Sequence, residues 1–394
     1  MRPRRVFAAA LLAGLLLPGA VQAAALSEDA TVEIAVLYDA ATPVSVIDAL
    51  NATAGARVTG AIEEVGIQRV VVEESDVRVF ESSPWVRALE RPRTFQLMGA
   101  PNDPLVKLQW GLKAVGAFDA WRLEEGKKSG VMVGVIDTGI DATHADLKKK
   151  VEAGFDFLEL DADPYDDNGH GTHVAGIIAA NVGNKRGVAG LAPGVSVIPM
   201  KACLSGGQCD PFAIWAGVVD ATRRGAAVLN LSLGGSGECD DISQAVFDWV
   251  HDQGTLTVAA AGNSGSKKAG NPTISPANCD HTLVVGAIDQ LGRRALFSSY
   301  GDFVDIAAPG VEIWSTLPPI ASLFSEYLGY GAGSGTSMAA PHVAAAAALV
   351  KARHPEWTPD QIQVRLLGTA TDVGRPGRDD EYGEGTLNLF AALR

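Results

Sequence analysis

Residues 130–137 read Gly-Val-Met-Val-Gly-Val-Ile-Asp, a short apolar run that ends in a carboxylate. Apolar runs of this length are typical of strands that are buried on both faces of a parallel sheet. In open sheets of that kind, ligands bind beyond the carboxyl ends of the strands. The stretch therefore predicts an α/β fold and places Asp137 at the edge of the sheet where a functional site is expected.

Strand-like and helix-like segments alternate on both sides of this run, from about residue 105 onward. Helix-like segments cover residues 173–181, 211–224 and 242–253, and strand-like segments cover residues 195–201, 227–233, 256–261 and 283–288. Such alternation indicates βαβ units and a mostly parallel sheet. The turn formed by residues 260–263 follows a strand, so it is expected at the same edge as Asp137.

The first hundred residues have a different organisation. Residues 27–98 predict a small separate unit, with strands at 32–37 and 68–72 and a helix at 44–54. Residues 87–98 are charged and interrupted by proline, which is typical of a linker, and Pro101-Asn102-Asp103-Pro104 is a strong breaker of regular structure.

Residues 1–23 have the pattern of a secretory signal. Three arginines precede the apolar run 7–17, and Val21-Gln22-Ala23 ends in a small residue suited to cleavage. The net charge of the 394-residue chain is −14, and no basic block follows the N-terminus, so nucleic acid is not an expected partner. No later window predicts a membrane span. We expect a protein secreted to the medium or the periplasm.

The chain has four cysteines, Cys203, Cys209, Cys239 and Cys279, all after the predicted signal. This usage fits an oxidising compartment. Three disulfide pairings are possible, and we favour 203–209 with 239–279 because a flexible Leu-Ser-Gly-Gly-Gln loop separates the first two. Free thiols or a metal site are the alternatives, although no CxxC spacing favours zinc.

Three segments contain residues suited to nucleophilic catalysis. They are Val135-Ile136-Asp137-Thr138-Gly139, the glycine-rich 168–176 segment around His170, and Gly335-Thr336-Ser337-Met338-Ala339-Ala340-Pro341-His342. A serine is a poor nucleophile unless a base and an oxyanion site assist it, and the start of a helix favours developing negative charge. Taken singly, each residue has an ordinary structural explanation, such as a helix cap.

Together, and in the order Asp, His, Ser, these segments resemble the subtilase family of serine proteases over about residues 103–394. The resemblance implies a subtilisin-like three-layer α/β sandwich, with a central sheet of about seven mostly parallel strands, in a catalytic domain at 101–394. It implies that Ser337 is the nucleophile, that His170 is the base and that Asp137 orients the imidazole. Asn263 matches the oxyanion-hole asparagine of the family. His173 and His342 are expected to be structural.

The same resemblance implies the substrate-binding residues. Ser232, Leu233 and Gly234 match the edge to which an extended peptide adds as a strand, and Ala260, Ala261 and Gly262 match the opposite wall of the first specificity pocket. The floor of that pocket is expected in or near residues 271–278. Small walls without a fixed charge predict broad specificity for protein or peptide substrates, with a preference for large apolar side chains.

Calcium is the cofactor that the resemblance implies. A structural site is expected from the side chains of Asp103, Asp146 and Asn184 and from the backbone carbonyls of Asn181, Arg186 and Val188. A second acidic cluster resembles the weaker calcium loop of thermostable family members, with a solvated acidic loop as the alternative. Its members are Asp156, Asp161, Asp163, Asp166 and Asp167.

The N-terminal unit, residues 24–100, resembles the propeptide that many secreted subtilases have. Such a segment assists folding, inhibits the enzyme and is then removed, and we expect self-cleavage between about residues 94 and 102. The alternative is a substrate- or partner-binding domain that is retained. We expect the enzyme to be a monomer.

Two other functions remain open. One is an esterase or amidase of the α/β-hydrolase type, which is disfavoured because Ala339 breaks a G-x-S-x-G pattern around Ser337 and because the chain order differs. The other is a binding protein on an inactive protease scaffold, which is disfavoured because Asp137, His170, Asn263 and Ser337 are all present.

Overall fold

The computed structural model describes residues 31–91, 101–127, 129–266, 271, 274–319, 321, 325 and 327–394. The chain divides into two compact units, residues 1–98 and 99–394. The predicted signal at 1–23 lies outside the described residues, as do residues 94–100 of the predicted cleavage region and residues 272–273 of the predicted pocket floor. Among the described residues, no helix is long and apolar enough to cross a membrane.

Within its described part, the first unit is a small α+β structure with a four-stranded antiparallel sheet. Its strands are, in spatial order, β2 (Arg57–Ile62), β3 (Ile67–Glu73), β1 (Thr31–Tyr38) and β4 (Val86–Glu90). Val36 and Phe80 are fully buried in its core. The prediction of a linker at 87–98 was wrong for its first residues, because Val86 and Leu89 pack on this core and form an edge strand. The elements are β1 (Thr31–Tyr38), α1 (Val44–Thr53), β2 (Arg57–Ile62), β3 (Ile67–Glu73), α2 (Val77–Glu81) and β4 (Val86–Glu90).

The second unit alternates strands with helices, as predicted. Its strands are β5 (Met132–Asp137), β6 (Phe155–Asp156), β7 (Ser196–Lys201), β8 (Val228–Leu231), β9 (Gly235–Ser236), β10 (Leu256–Ala260), β11 (Ile274–Ser275), β12 (Thr282–Ile288), β13 (Ile306–Pro309), β14 (Ile313–Thr316) and β15 (Tyr330–Gly333). Its helices are α3 (Trp110–Ala114), α4 (Ala117–Ala120), α5 (His170–Ala179), α6 (Pro211–Arg223), α7 (Asp241–Asp252), α8 (Thr336–Arg353), α9 (Pro359–Gly368) and α10 (Leu389–Leu393).

Seven of the described strands form one parallel sheet, in the order β13-β12-β10-β8-β5-β7-β6. Alternate residues of a strand point to opposite faces of a sheet. Accordingly, Val133 and Val135 of β5 join the core under α5 and α8, whereas Ile136 joins the core under α6 and α7. Helices therefore cover both faces of the sheet, and the predicted three-layer α/β sandwich is confirmed.

Two disulfide bonds join Cys203 to Cys209 and Cys239 to Cys279, and together they contain all four cysteines. This is the pairing that the sequence favoured. The first bond closes a short loop after β7, and the second connects the segment after β9 to the segment after β11. The first bond therefore lies near the carboxyl end of the parallel strand β7.

Candidate active site

A carboxylate and an imidazole are paired at the carboxyl end of the sheet. Asp137 is the last residue of β5, and His170 is the first residue of α5. The Nδ1–H group of His170 donates to Oδ1 of Asp137 at 2.7 Å, and the backbone N–H of Thr138 donates to the same oxygen at 2.8 Å. The aspartate is buried, whereas 29% of the imidazole is exposed. The part of the imidazole that points away from Asp137 is therefore exposed to solvent.

The environment of His170 favours its protonated form. Burial alone would lower the pKa of His170, but the charge and hydrogen bond of Asp137 outweigh burial, and Asp166 adds a smaller contribution. The result is a pKa raised above its ordinary value. An imidazolium that forms transiently at this position is therefore stabilised.

Asp166 supports the segment around His170, a role that the sequence did not indicate. It is fully buried, and its Oδ1 accepts hydrogen bonds from the Thr138 hydroxyl and from the backbone N–H groups of Asn168 and Gly169. Its Oδ2 accepts the backbone N–H and the hydroxyl of Thr172. It therefore anchors the first turn of α5, which begins three residues earlier than predicted. An aspartate four residues before a helical histidine was the available signal, because carboxylates favour helix N-termini.

The other two histidines near the cleft are buried within the core. Nε2 of His173 contacts the carbonyl of Gly331 at 3.2 Å, and Nδ1 of His342 contacts the carbonyl of Met338 at 2.8 Å. Burial lowers the pKa of each to about 4. Both are therefore neutral near pH 7, as expected of structural histidines.

Ser337 is the second residue of α8, so its backbone N–H has no intrahelical partner. Pro341 lies four residues later and lacks the N–H group that would normally bond the Ser337 carbonyl. That carbonyl instead accepts the Ser232 hydroxyl at 2.8 Å, while the Ser337 hydroxyl donates to the Ser232 carbonyl at 3.1 Å. Ser232, which the sequence assigned to substrate binding alone, therefore also fixes the position of Ser337.

The side-chain amide of Asn263 is oriented by Thr336. Oδ1 of Asn263 accepts the backbone N–H of Thr336 at 2.9 Å and the Thr336 hydroxyl at 3.1 Å. The same hydroxyl accepts the backbone N–H of Gly262 at 3.1 Å. Since the oxygen of the amide is occupied, its two N–H donors are on the side away from Thr336. Gly262 has a φ of +96°, and a Cβ there would meet Ile274 at 2.7 Å, so this turn requires glycine.

These groups line one cleft with a volume of about 850 Å³. Ala261, which was predicted to be a wall residue, is instead fully buried against Ala277 and Val284, since the chain alternates sides after Ala260. Ile274, Ser275 and Pro276, from the predicted floor segment, also line the cleft. The predicted residues that it brings together are Asp137, His170, Ser232, Leu233, Gly234, Ala260, Gly262, Asn263 and Ser337.

The three side chains predicted to bind the first calcium ion, Asp103, Asp146 and Asn184, lie together outside that cleft. Asp103 and Asp146 are buried; Asp103 accepts the backbone N–H groups of Gly183 and Asn184, and Asp146 accepts the Asn184 side-chain amide and the Val188 N–H. The Asn181 side chain donates to the Asp146 carbonyl, and the Arg186 N–H donates to Oδ1 of Asn184. This oxygen-rich set suits a hard cation such as calcium.

The carboxylates of the second predicted calcium loop have other partners. Asp156 accepts the backbone N–H groups of Leu158 and Glu159, and Asp161 accepts that of Asp163. Asp167 pairs with Lys201 at 2.8 Å. In the part of the chain that the structure describes, no group of three His, Cys, Asp or Glu side chains is placed to hold a metal ion. A second calcium ion stays a prediction.

A buried carboxylate that supports an imidazole, a serine at a helix N-terminus and an amide donor in the same cleft are the components of acyl-transfer chemistry. The comparisons with known proteins agree with this chemistry. The profile of the Subtilase family matches residues 128–385. Subtilisin DY from Bacillus licheniformis is 43% identical over 268 residues, which are 68% of this chain and 92% of that protein.

Two further relatives extend the similarity. Thermitase from Thermoactinomyces vulgaris is 36% identical over 295 residues, which are 75% of this chain and 99% of that protein. Among solved structures, a protease from Pseudoalteromonas arctica superposes with a TM-score of 0.66 and 32% identity, covering 75% of this chain and 99% of that one. The chain belongs to the subtilase family and is a serine endopeptidase.

Proposed function

We propose that the peptidase acts through Asp137, His170 and Ser337, with Asn263 as an oxyanion donor. The observation that supports this most directly is the 2.7 Å bond between His170 Nδ1 and Asp137 Oδ1. That bond assigns the proton to Nδ1 and leaves Nε2 as the basic nitrogen. His170 and Ser337 line the same cleft, as the mechanism requires.

In the proposed reaction, the Ser337 hydroxyl leaves the Ser232 carbonyl and transfers its proton to Nε2 of His170 as Oγ attacks the scissile carbonyl carbon. The imidazolium is stabilised by Asp137, in line with the raised pKa of His170. It then protonates the leaving amine, the C–N bond breaks, and an ester to Ser337 remains. Water then attacks the carbonyl carbon of this ester while His170 accepts a proton from the water. His170 next protonates the Ser337 oxygen, the ester bond breaks, and the carboxylic acid product is released.

The negative charge that develops on the carbonyl oxygen needs donors that are already oriented. The N–H of Ser337 and the amide N–H groups of Asn263 are available, because the oxygen of that amide is held by Thr336. Donors that are fixed before the reaction need no reorganisation in the transition state. The helix dipole of α8 adds to the same stabilisation.

An extended peptide is the substrate that the cleft suits best. The segment Ser232–Gly234 follows the strand β8 and lines the cleft, so its backbone is placed to pair with a substrate strand. The apolar side chains of Leu233, Ile214 and Ile274 line the same space. We infer a preference for peptides with apolar side chains near the scissile bond.

Ser337→Ala tests the proposed nucleophile. We expect kcat to fall by about 10⁶-fold and a serine-directed phosphonate to label the wild type but not the variant. Ser196→Ala is the matched control and should be labelled like the wild type. Ser196 is the first residue of β7, at the end of that strand away from the cleft. Labelling of the Ser337→Ala variant at another serine would assign the nucleophile elsewhere.

We also propose that residues 24–100 form a propeptide that the enzyme itself removes after secretion. Its support is the separate compact unit of residues 1–98 and the independent core around Val36 and Phe80. The N-terminal sequence and mass of the secreted protein test this. The Ser337→Ala protein should retain residues 24 to about 100, and normal trimming of this variant would show that another protease performs maturation.

We propose that calcium binds at Asp103, Asp146 and Asn184, which requires the Asn184 amide to turn its oxygen toward the ion. In the Ser337→Ala background, saturating calcium should raise the thermal midpoint above that in chelator by about 5–10 °C. Asp146→Asn should abolish that difference. Asp161→Asn should retain it, and the reverse result would move the site to the second loop.

A further inference from the structure

Lys201 is the only Lys or Arg among the described residues whose side chain is buried, with 5% of the residue exposed. It is the last residue of β7 and lies beside Asp137 in the register of the sheet. Burial of an ammonium group is costly unless specific partners compensate for it. A cation in this position, next to the proposed catalytic carboxylate, therefore needs specific compensating contacts.

The ammonium group has two partners. Nζ donates to the carbonyl of Thr138 at 2.8 Å and to Oδ1 of Asp167 at 2.8 Å. The N–H of Thr138 donates to Asp137, its hydroxyl donates to Asp166, and the same hydroxyl accepts the N–H of Gly171. Thr138 thus connects the end of β5 to the start of α5, and Lys201 holds the peptide group that follows Thr138.

The charges in this region are mostly negative. Oδ2 of Asp137 is buried and has no hydrogen-bond partner in the described part of the chain. A permanent cation compensates for this concentration of buried charge. Asp166 and His173 interact electrostatically with His170, and Lys201 lies beside Asp137 in the sheet. Farther out, Asp167 pairs with Lys201, and Asp141, Asp166 and Asp167 interact with Tyr165.

We propose that Lys201 is a positioning residue, which holds the Thr138 carbonyl so that Asp137 keeps its contact with His170. This inference rests on the proposed roles of Asp137 and His170. Displacement of a catalytic group by about 1 Å can cost about 10²-fold in rate. Loss of this contact should therefore reduce the rate of the chemical step while substrate binding is retained.

The experiment compares the secreted enzyme, produced from the full chain, with its Lys201→Met variant. Both are assayed on one peptide substrate across pH, with active sites titrated by the phosphonate. We expect kcat to fall by about 10- to 100-fold with KM within about two-fold. The acid limb of kcat/KM should move to lower pH, because a looser Asp137–His170 contact lowers the pKa of His170. Lys201→Arg, which retains charge and donors, should restore most of the rate.

Lys351→Met is the matched control, because the Lys351 ammonium also donates to a backbone carbonyl, that of Trp357. Lys351 is in the last turn of α8, at the opposite end of the helix from Ser337. This variant should retain wild-type kcat. If Lys201→Met is not secreted in folded form, Lys201→Gln takes its place. The same fall in kcat and the same shift of the acid limb to lower pH are expected. Unchanged kcat, or an acid limb that moves to higher pH because only a charge was removed, would overturn the positioning role.

Asp137→Asn in the same series separates this inference from the proposed reaction. If Asp137→Asn lowers kcat and Lys201→Met does not, only the role of Lys201 is wrong. If Asp137→Asn leaves kcat unchanged, the proposed triad itself is wrong.

Discussion

The carboxylate and imidazole side of the cleft is buried and stabilised by charge, whereas the serine and amide side is held by hydrogen bonds between neutral groups. On the first side, Asp137 and Asp166 are buried, and Lys201 lies beside Asp137 in the sheet. On the second side, Thr336 orients Asn263, and Ser232 holds Ser337. Both sides are at the carboxyl edge of one parallel sheet, but different kinds of interaction maintain their geometry.

This difference predicts two kinds of mutational response. A buried charge that loses its partner retains its full desolvation cost, which is several kcal/mol in proteins. A neutral hydrogen bond contributes about 0.5–1.5 kcal/mol net. Substitutions on the charged side should therefore shift the pH profile. Substitutions on the neutral side should lower the rate but leave the pH profile unchanged.

Among Asp137→Asn, Asn263→Ala and Thr336→Val, Asp137→Asn is expected to have the largest effect, about 10⁴-fold in kcat, because the amide cannot stabilise an imidazolium. The wild-type acid limb of kcat/KM should lie above pH 6.5, the ordinary pKa of histidine, since the pKa of His170 is raised. Loss of the carboxylate charge lowers that pKa, so the limb should move to lower pH. Rates measured across pH with one peptide substrate test both expectations.

Asp210→Asn is the control for that measurement. Asp210 caps the N-terminus of α6 by accepting the N–H of Ala213, so its loss reports the general cost of removing a structural carboxylate. It should leave the position of the acid limb unchanged. An Asp137→Asn enzyme with a wild-type acid limb would contradict the claim that the charged side sets the pKa of the base.

Asn263→Ala tests the neutral side and should lower kcat by about 10²–10³-fold with little change in KM. The reason is that its amide donors meet the oxyanion in the transition state, not the ground-state substrate. The acid limb of kcat/KM should stay in place, because no charge is removed. A shifted limb would show that the two sides are coupled electrostatically.

Much of the fold could be predicted because buried parallel strands are nearly continuous apolar runs. The strands β5, β7, β10 and β12 were predicted within one or two residues at each end. The two-residue strand β6 was missed because it is too short to show a period, and β4 was missed because arginine and glutamate occupy its exposed positions. These strands depend on pairing with distant neighbours, which local sequence does not report.

The candidate site could be predicted only in part, for a related reason. Asp137, His170, Asn263 and Ser337 lie in short segments of recognisable composition, and their catalytic roles stay predictions. Their supports could not be predicted, since the Thr336–Asn263 contact spans 73 residues and the Lys201–Thr138 contact spans 63. A threonine or lysine in a strand or helix has no local feature that identifies such a partner.

Thr336→Val is expected to have the smallest effect of the series, about ten-fold in kcat. Valine keeps the shape of threonine and the backbone N–H that donates to Asn263, but it loses the hydroxyl contacts to Asn263 and Gly262. Two neutral hydrogen bonds contribute about 1–3 kcal/mol. Part of this loss should lower kcat, because the Asn263 amide is then less well oriented. Combination with Asn263→Ala gives the decisive measurement, because a residue that acts only through Asn263 should cost nothing further once that amide is gone. Additive losses in the double variant would show that Thr336 also acts by a route other than Asn263, such as its contact with Gly262.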